Sequence, residues 1–118
     1  MSNLYSKELI EHYKNPKRFS KMENPDLTGV AVNSLCGDEL TLYVKNDNGT
    51  VVDVSFQGSG CAICLGTMSM FIDSFIDKNI RDLFKLSENE VLERISMDSD
   101  SPRKRCATLT LEAIQKLK

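Results

Sequence analysis

One stretch limits the fold more than any other: an alternating apolar segment stops at two glycines, and a helical pattern begins on a cysteine. Residues 52–57 alternate apolar and polar side chains, Gly58 and Gly60 follow, and Cys61 opens the helical pattern. A thiol in this place stands at a strand end and at a helix start. Because the unpaired N–H groups of a helix N-terminus favour a thiolate over a thiol, this sulfur is suited to metal or sulfur chemistry.

Three segments before Cys61 show the alternation that is typical of β-strands with one apolar face. The predicted apolar faces are Val30 and Val32 in the first strand, Leu40, Leu42 and Val44 in the second, and Val52, Val54 and Phe56 in the third. Turn residues at 46–49 (Asn-Asp-Asn-Gly) and 36–38 (Cys-Gly-Asp) predict an antiparallel meander. The end of the first strand and the end of the third share one edge of a meander, so Cys36 and Asp38 are expected near Cys61.

Helical patterns occur on both sides of these strands. The predicted helices cover residues 5–14, a segment that begins at Ala62, residues 88–96, and a segment that begins near Cys106. Ser87 and Glu90 form the sequence signature of a capping box for the third of these helices. The predicted fold class is therefore α+β, with a three-stranded antiparallel meander sheet packed against about four to five helices.

Composition excludes several classes of function. Fifteen basic and seventeen acidic residues give a net charge of −2, so the molecule has no overall field that would attract nucleic acid. The first residues form no apolar leader, and no apolar run reaches the ~20 residues of a membrane span, which indicates a cytoplasmic protein without membrane contact. We expect one domain over residues 1–118 that folds without disulfides. Four cysteines in such a protein are more often metal ligands or reactive thiols than disulfide partners.

Four donor residues are expected to meet at one edge of the sheet. Cys36, Cys61 and Cys106 supply thiolates from separate turns or helix starts, and Asp38 supplies a carboxylate. Such a set suits zinc or an iron–sulfur cluster. A carboxylate is a harder ligand than a fourth thiolate, so a cluster that is held partly by Asp38 should be easier to release.

Residues around these donors are expected to tune the site. The cations at 103–105 would favour the thiolate of Cys106, and Arg105 is a possible auxiliary residue. The glycines at 37, 58 and 60 would leave room for the approach of a partner protein. Cys64 is interpreted as a small buried apolar residue in the first turn of its helix.

Four segments occur in a fixed order along nearly the whole chain. They are residues 12–16 (His-Tyr-Lys-Asn-Pro), 35–38 (Leu-Cys-Gly-Asp), 56–63 (Phe-Gln-Gly-Ser-Gly-Cys-Ala-Ile) and 105–109 (Arg-Cys-Ala-Thr-Leu). In this order and spacing they resemble the U-type iron–sulfur cluster scaffold proteins, the group of IscU, SufU and the N-terminal domain of NifU. The resemblance implies an α+β fold with Cys36, Asp38, Cys61 and Cys106 at one exposed site.

The resemblance also implies a function. Such scaffolds, which are not enzymes, accept persulfide sulfur from a cysteine desulfurase, assemble a [2Fe-2S] cluster with iron, and pass the cluster to acceptor proteins. Many of them also bind zinc at the same site.

The chain departs from the pattern of this family in four places. Scaffolds of the IscU type carry a histidine before the last cysteine and a Leu-Pro-Pro-Val-Lys chaperone-docking motif upstream of it. Here Arg105 and residues 99–103 (Ser-Asp-Ser-Pro-Arg) take those places, which argues against a dedicated Hsp70-type chaperone. Residues 103–109 are more similar to the SufU type, but the insertion that this type carries between its last two ligand cysteines is missing. Cys64 is the fourth departure; it could substitute as a ligand, hold a persulfide or form a disulfide with Cys61.

Two alternative functions remain beside the scaffold. A zinc-bound site of the SufU type would relay sulfur, with one thiolate leaving the metal to take a persulfide. A dithiol oxidoreductase would use Cys61 and Cys64, because a Cys-x-x-Cys at a strand-to-helix junction is the thioredoxin arrangement. The predicted meander argues against the oxidoreductase, since a thioredoxin-like sheet needs a parallel strand pair.

Overall fold

The computed structural model describes residues 6–118, which form an α+β fold around one three-stranded sheet. The strands are β1 (Leu27–Asn33), β2 (Asp38–Asp47) and β3 (Thr50–Ser59), and they lie in the order β1-β2-β3. Both strand pairs are antiparallel, so the predicted meander is confirmed.

The register of the sheet brings one end of all three strands together. Asn33 at the end of β1 pairs with Asp38 at the start of β2, and Glu39 pairs with Ser59 at the end of β3. Asn48 and Gly49 both have positive φ at the opposite end, where they turn β2 into β3 as an Asn-Gly hairpin does. The first turn and the start of the following helix therefore share one edge.

The predicted apolar face of β1 was wrong. Val30 and Val32 are 45% and 50% exposed, whereas Ala31 is buried. The reason is the close packing of the last helix on this strand: a Cβ on Gly29 would collide with the backbone oxygen of Ala113. At Gly29 and Ala31 the inner face has room only for small side chains, so the larger valines lie on the outer face.

The prediction for β3 was wrong at one residue. Val51 and Val54 are buried while Val52 is 51% exposed. A β-bulge shifts the register between Lys45 and Asn46, so alternation is interrupted opposite this point. Val54 and Phe56 are buried as predicted, and Ser55 between them is buried as well.

Five α-helices accompany the sheet in the described part of the chain. They are α1 (Lys7–Lys14), α2 (Ala62–Ile72), α3 (Ile80–Leu83), α4 (Glu88–Arg94) and α5 (Lys104–Gln115), and a 3₁₀ turn at Asp73–Phe75 follows α2. The predicted first helix began at residue 5, which lies outside the described residues. The short α3 was not predicted, because four residues are too few to show a helical period.

The core lies between one face of the sheet and helices α2 and α5. Leu40, Leu42 and Phe56 from the sheet pack with Met68 and Leu109 from the helices, and all five are completely buried. A second cluster joins α1 and α4 to the start of α5. These contacts fix the N-terminal ends of α2 and α5 beside the first turn of the sheet.

We expect Ser87→Ala to lower the free energy of unfolding by about 1 kcal/mol. The Ser87 side chain accepts from the Glu90 N–H, and the Glu90 carboxylate accepts from the Ser87 N–H, so both bonds of the predicted capping box are present. Urea unfolding of the two proteins measures the difference. Asn89→Ala in the same exposed first turn is the control, and an equal loss in both variants would contradict a capping effect.

No helix within residues 6–118 is long and apolar enough to cross a membrane.

Candidate metal centre

Asp38 is the buried centre of the site. It is the first residue of β2 and is completely buried. Its Oδ1 accepts a hydrogen bond of 3.1 Å from the backbone N–H of Cys61, which joins the first turn of the sheet to the start of α2. Its Oδ2 is buried and accepts no hydrogen bond within the described residues. A buried carboxylate oxygen without a partner is costly in a protein and is available to a cation.

Two thiols lie beside this carboxylate. One ligand atom from each of Cys36, Asp38 and Cys106 lies within 4.8 Å of the others. Cys36 is exposed in the turn between β1 and β2, while Cys106, the third residue of α5, is buried. Three elements that are distant in sequence thus place two sulfurs and one oxygen in a single cluster.

Cys61 borders this cluster without belonging to the set that lies within 4.8 Å. It is the N-cap of α2, it is partly buried, and its side chain caps no N–H of the helix. The Cys61 sulfur is close enough to Cys106 to raise the pKa of that thiol. The predicted proximity of Asp38 and Cys61 is therefore observed, and a shift of the Cys61 side chain would bring the third sulfur to the cluster.

The glycine before Cys61 makes this approach possible. Gly60 has a φ of +150°, and a Cβ at this residue would collide with Asp38 Oδ1. A Cβ on Gly58 would similarly collide with the Glu39 carbonyl oxygen. The sequence analysis expected these glycines to leave room for a partner protein, but Gly58 and Gly60 instead allow close packing inside the domain. Only Gly37 of the three has open space around it.

The sequence predicted that nearby cations would stabilise the thiolate of Cys106, and this prediction was wrong. Burial raises the pKa of the Cys106 thiol, and the neighbouring Asp38 and Cys61 raise it further. Lys104 is engaged elsewhere, since it pairs with Glu88 at 3.0 Å. A metal that binds here would therefore displace a proton from Cys106.

Arg105 is also turned away from the donors. Its Nε lies 3.5 Å from the Glu112 carboxylate, two helical turns further along α5. The single histidine, His12, is hydrogen-bonded through Nδ1 to the Ser69 hydroxyl at 2.7 Å. Neither side chain is among the grouped ligand atoms of the described residues.

Cys64 is completely buried at the third position of α2. Burial raises the pKa of its thiol, and the charges of Asp38, Cys61 and Cys106 raise it further. The sequence analysis interpreted Cys64 as a small buried residue, and its burial is confirmed.

Asn33 is a residue that the sequence analysis did not single out. It is 2% exposed, it pairs with Asp38 across the sheet, and its Oδ1 has no hydrogen-bond partner among residues 6–118. An alternating pattern gives no signal for such a residue, because Asn33 was expected on the polar face of β1. Because side chains alternate along β1, the outward position of Val30 and Val32 places Asn33 on the inner face.

The donor set fits zinc or an iron–sulfur cluster. Three thiols and one carboxylate supply four donors, which is the number that zinc takes in structural sites. Cysteine thiolates are also the usual ligands of iron–sulfur clusters. The unpartnered Asp38 Oδ2 shows where the oxygen ligand is available.

We expect the free energy of unfolding of the metal-free, reduced protein to fall above about pH 8.5, where thiols of the unfolded chain ionise. Because burial raises the pKa of Cys64, the folded protein keeps this proton while the unfolded chain releases it. Stability is therefore complete below about pH 8.5 and decreases at higher pH, by up to about 1.4 kcal/mol per pH unit for this group. Urea unfolding at pH 7.5 and 9.5 should show a smaller decrease in Cys64→Ala, and an equal decrease would contradict the assignment.

The chain is similar to known proteins over nearly its whole length. The family model of the NifU-like N-terminal domain matches residues 4–117. The curated relatives include the "Iron-sulfur cluster assembly scaffold protein IscU 1" of Archaeoglobus fulgidus, which is 29% identical over 96% of this chain and 73% of its own length. They also include the "Zinc-dependent sulfurtransferase SufU" of Bacillus subtilis, 29% identical over 98% of this chain and 90% of its own.

A solved structure has the same fold. It is the FiSufU protein of Fervidobacterium islandicum AW-1, described as an iron–sulfur cluster assembly scaffold for the SUF system. The two structures superpose with a TM-score of 0.81 at 26% identity, over 95% of this chain and 94% of the other.

Proposed function

Because the chain belongs to the family of NifU-like N-terminal domains, we propose that it is an iron–sulfur cluster assembly scaffold. In this function Cys36, Cys61 and Cys106 hold a [2Fe-2S] cluster as cargo, and Asp38 is its fourth ligand. The observation that carries the proposal is the group of Cys36, Asp38 and Cys106, whose ligand atoms lie within 4.8 Å of one another. The named relatives support it, since several are called scaffold proteins.

The proposed role of each ligand follows from its exposure and from its donor atom. Cys36 is exposed, so it is the first thiol that a sulfur donor can reach. Cys106 and Asp38 are buried and hold their positions through α5 and β2. The hard carboxylate is the weakest partner for iron and sulfide, so release of the cluster should begin at Asp38.

This function needs partners of two kinds. A cysteine desulfurase would supply sulfur as a persulfide, and apo iron–sulfur proteins would accept the finished cluster. We include no dedicated Hsp70-type chaperone, because residues 99–103 lack the docking motif.

A second candidate function is a zinc-dependent sulfur relay, for which the relative named zinc-dependent sulfurtransferase is the supporting observation. Three sulfurs and one oxygen match the coordination that zinc prefers. Zinc, when bound, would keep the cysteine side chains ionised as thiolates. Cys36 would then take the persulfide sulfur, because it is the exposed thiol of the group. In this case the chain would act as a sulfurtransferase rather than as a carrier of a cluster.

Iron and sulfide content distinguishes the two functions. The protein is purified without oxygen and incubated with iron, cysteine and a cysteine desulfurase, and metal, acid-labile sulfide and the visible spectrum are then measured. A scaffold binds iron and sulfide in equal amounts, and Cys36→Ser or Cys106→Ser reduces both. One retained zinc with a persulfide adduct and no iron uptake would reject the scaffold in favour of the relay.

A further inference from the structure

Some buried polar side chains lack a hydrogen-bond partner, and two of them lie directly opposite each other in the sheet. Within residues 6–118 the buried atoms without a partner are Asn33 Oδ1, Asp38 Oδ2, Ser55 Oγ, Thr67 Oγ1 and Thr110 Oγ1. Of these residues only Asn33 and Asp38 form a cross-strand pair, the last pair before the turn that carries Cys36. Buried acceptors without a donor are costly and rare, so two of them on paired residues call for a physical explanation.

The side chains of Asn33 and Asp38 can reach each other. Both lie on the inner face of the sheet, where Asn33 is 2% exposed and Asp38 is completely buried. The Cβ atoms of directly opposed residues in an antiparallel pair are about 5 Å apart, and each polar atom lies two bonds beyond its Cβ. The Cys61 N–H holds Asp38 Oδ1 on the side of β3. Because β2 lies between β3 and β1, Oδ2 is the oxygen that a donor from β1 can approach.

A rotation of the Asn33 amide supplies the missing donor. The two unpartnered atoms are an amide oxygen and a carboxylate oxygen, and two acceptors cannot bond to each other. A half-turn about χ2 exchanges Oδ1 and Nδ2 of an asparagine, which have nearly the same shape. The amide nitrogen then takes the buried place and can donate to Asp38 Oδ2. Oδ1 moves to the place of the nitrogen, which is not among the buried atoms without a partner.

We propose that Asn33 is a positioning residue for Asp38: its side-chain amide donates a hydrogen bond to Oδ2 and fixes the carboxylate in the orientation in which it binds metal. A carboxylate oxygen has two lone pairs, so Oδ2 can accept this bond and bind a cation at the same time. Carboxylates that bind a metal are commonly held by such hydrogen-bond partners. The inference rests on the proposed function only in that Asp38 is taken as a metal ligand.

The backbone of Asn33 supports a second ligand independently of its side chain. Its carbonyl oxygen accepts a hydrogen bond of 3.2 Å from the Cys36 N–H, which closes the turn between β1 and β2. Substitution of the side chain leaves both of these backbone groups in place. Variants at residue 33 therefore test the amide group rather than the turn.

Zinc affinity in a double-mutant cycle tests the proposal. Asn33→Leu fills the place of the amide with an apolar group that cannot donate, and Asn33→Ala removes the amide altogether. We expect each substitution to lower the affinity for zinc by about tenfold or more in the otherwise unaltered protein. In an Asp38→Ala background the same substitutions should change the affinity by less than about twofold, because an effect that acts through Asp38 is already lost. Competition against a chromophoric zinc chelator measures each affinity.

Ser55→Ala is the matched control. Ser55 is also a buried residue of the sheet with an unpartnered oxygen in the described chain, but it lies opposite Tyr43 rather than Asp38. Its substitution should leave zinc affinity within about twofold of the original. Equal losses from the Asn33 substitutions in both backgrounds would indicate a purely structural role and overturn the proposal, and so would unchanged affinity in the Asn33 variants.

A second measurement needs neither metal nor a variant of Asn33. In the metal-free, reduced protein, NMR should show one side-chain N–H proton of Asn33 exchanging with water about tenfold more slowly than in Asp38→Ala, because the hydrogen bond must open first. Equal exchange rates in the two proteins would overturn the proposal. Lack of zinc binding by the unaltered protein would instead count against the proposed metal site, so the two failures are distinguishable.

Discussion

Replacing Cys106 by serine is expected to lower the affinity for zinc by more than about 100-fold, since loss of even an outer-shell partner costs 10–100-fold. Cys106 is buried, and its sulfur lies within 4.8 Å of the donors of Cys36 and Asp38. A serine hydroxyl in the same place does not ionise in the range where a thiol does. Competition against a chromophoric zinc chelator measures the change.

Thr110→Val is the control for this substitution. Thr110 lies one turn beyond Cys106 on α5, is completely buried, and has a hydroxyl without a hydrogen-bond partner in the structure described. Its loss should leave zinc affinity within about twofold of the original. A Cys106→Ser protein that binds zinc nearly as well as this control would remove Cys106 from the ligand set.

Gly29→Ala is expected to lower the free energy of unfolding by about 3 kcal/mol, the upper end of the cost of overpacking. A Cβ on Gly29 would collide with the backbone oxygen of Ala113 and would lie 3.0 Å from the Leu117 nitrogen. Backbone atoms cannot rotate away as a flexible side chain does, so α5 must separate from β1. For a domain of this size the melting temperature should fall by about 12 °C.

Gly37→Ala separates this steric effect from the general cost of replacing a glycine. Gly37 has a φ of +72°, but a Cβ there meets no atom within 4 Å. Only the left-handed backbone opposes alanine at this residue, so the cost should be about 1 kcal/mol. Equal losses in the two variants would show that α5 does not depend on close contact with Gly29.

The meander and the edge where the donors meet were predictable from the sequence, because turn chemistry and strand alternation are local signals. Asn48 and Gly49 define a hairpin whatever surrounds them, and the capping residues Ser87 and Glu90 define the start of α4 equally well. From these elements it follows that Asp38 lies near Cys61, as the hydrogen bond between them shows.

The inward face of β1 was not predictable in the same way. Val30 and Val32 have the side chains of a core strand, yet they lie outside because α5 approaches the backbone at Gly29. This packing joins segments more than eighty residues apart, and alternation within seven residues carries no information about it. For the same reason the burial of Asn33 beside Asp38 was missed.

The ionisation of Cys106 was mispredicted for a different reason. Three basic residues precede it in sequence, but sequence neighbours on a helix project in different directions. Lys104 and Arg105 form ion pairs with acidic side chains on the surface, whereas burial and Asp38 raise the pKa of the Cys106 thiol.

The dispersal of the donors along the chain has a consequence for protein synthesis. The ribosome delivers β1, β2, β3 and the start of α2 well before α5, so Cys36, Asp38 and Cys61 emerge without Cys106. The group of donors forms only when α5 has packed against β1 beside Gly29. A nascent chain therefore presents an incomplete site, and capture of metal with the full set of donors is restricted to domains that have finished folding.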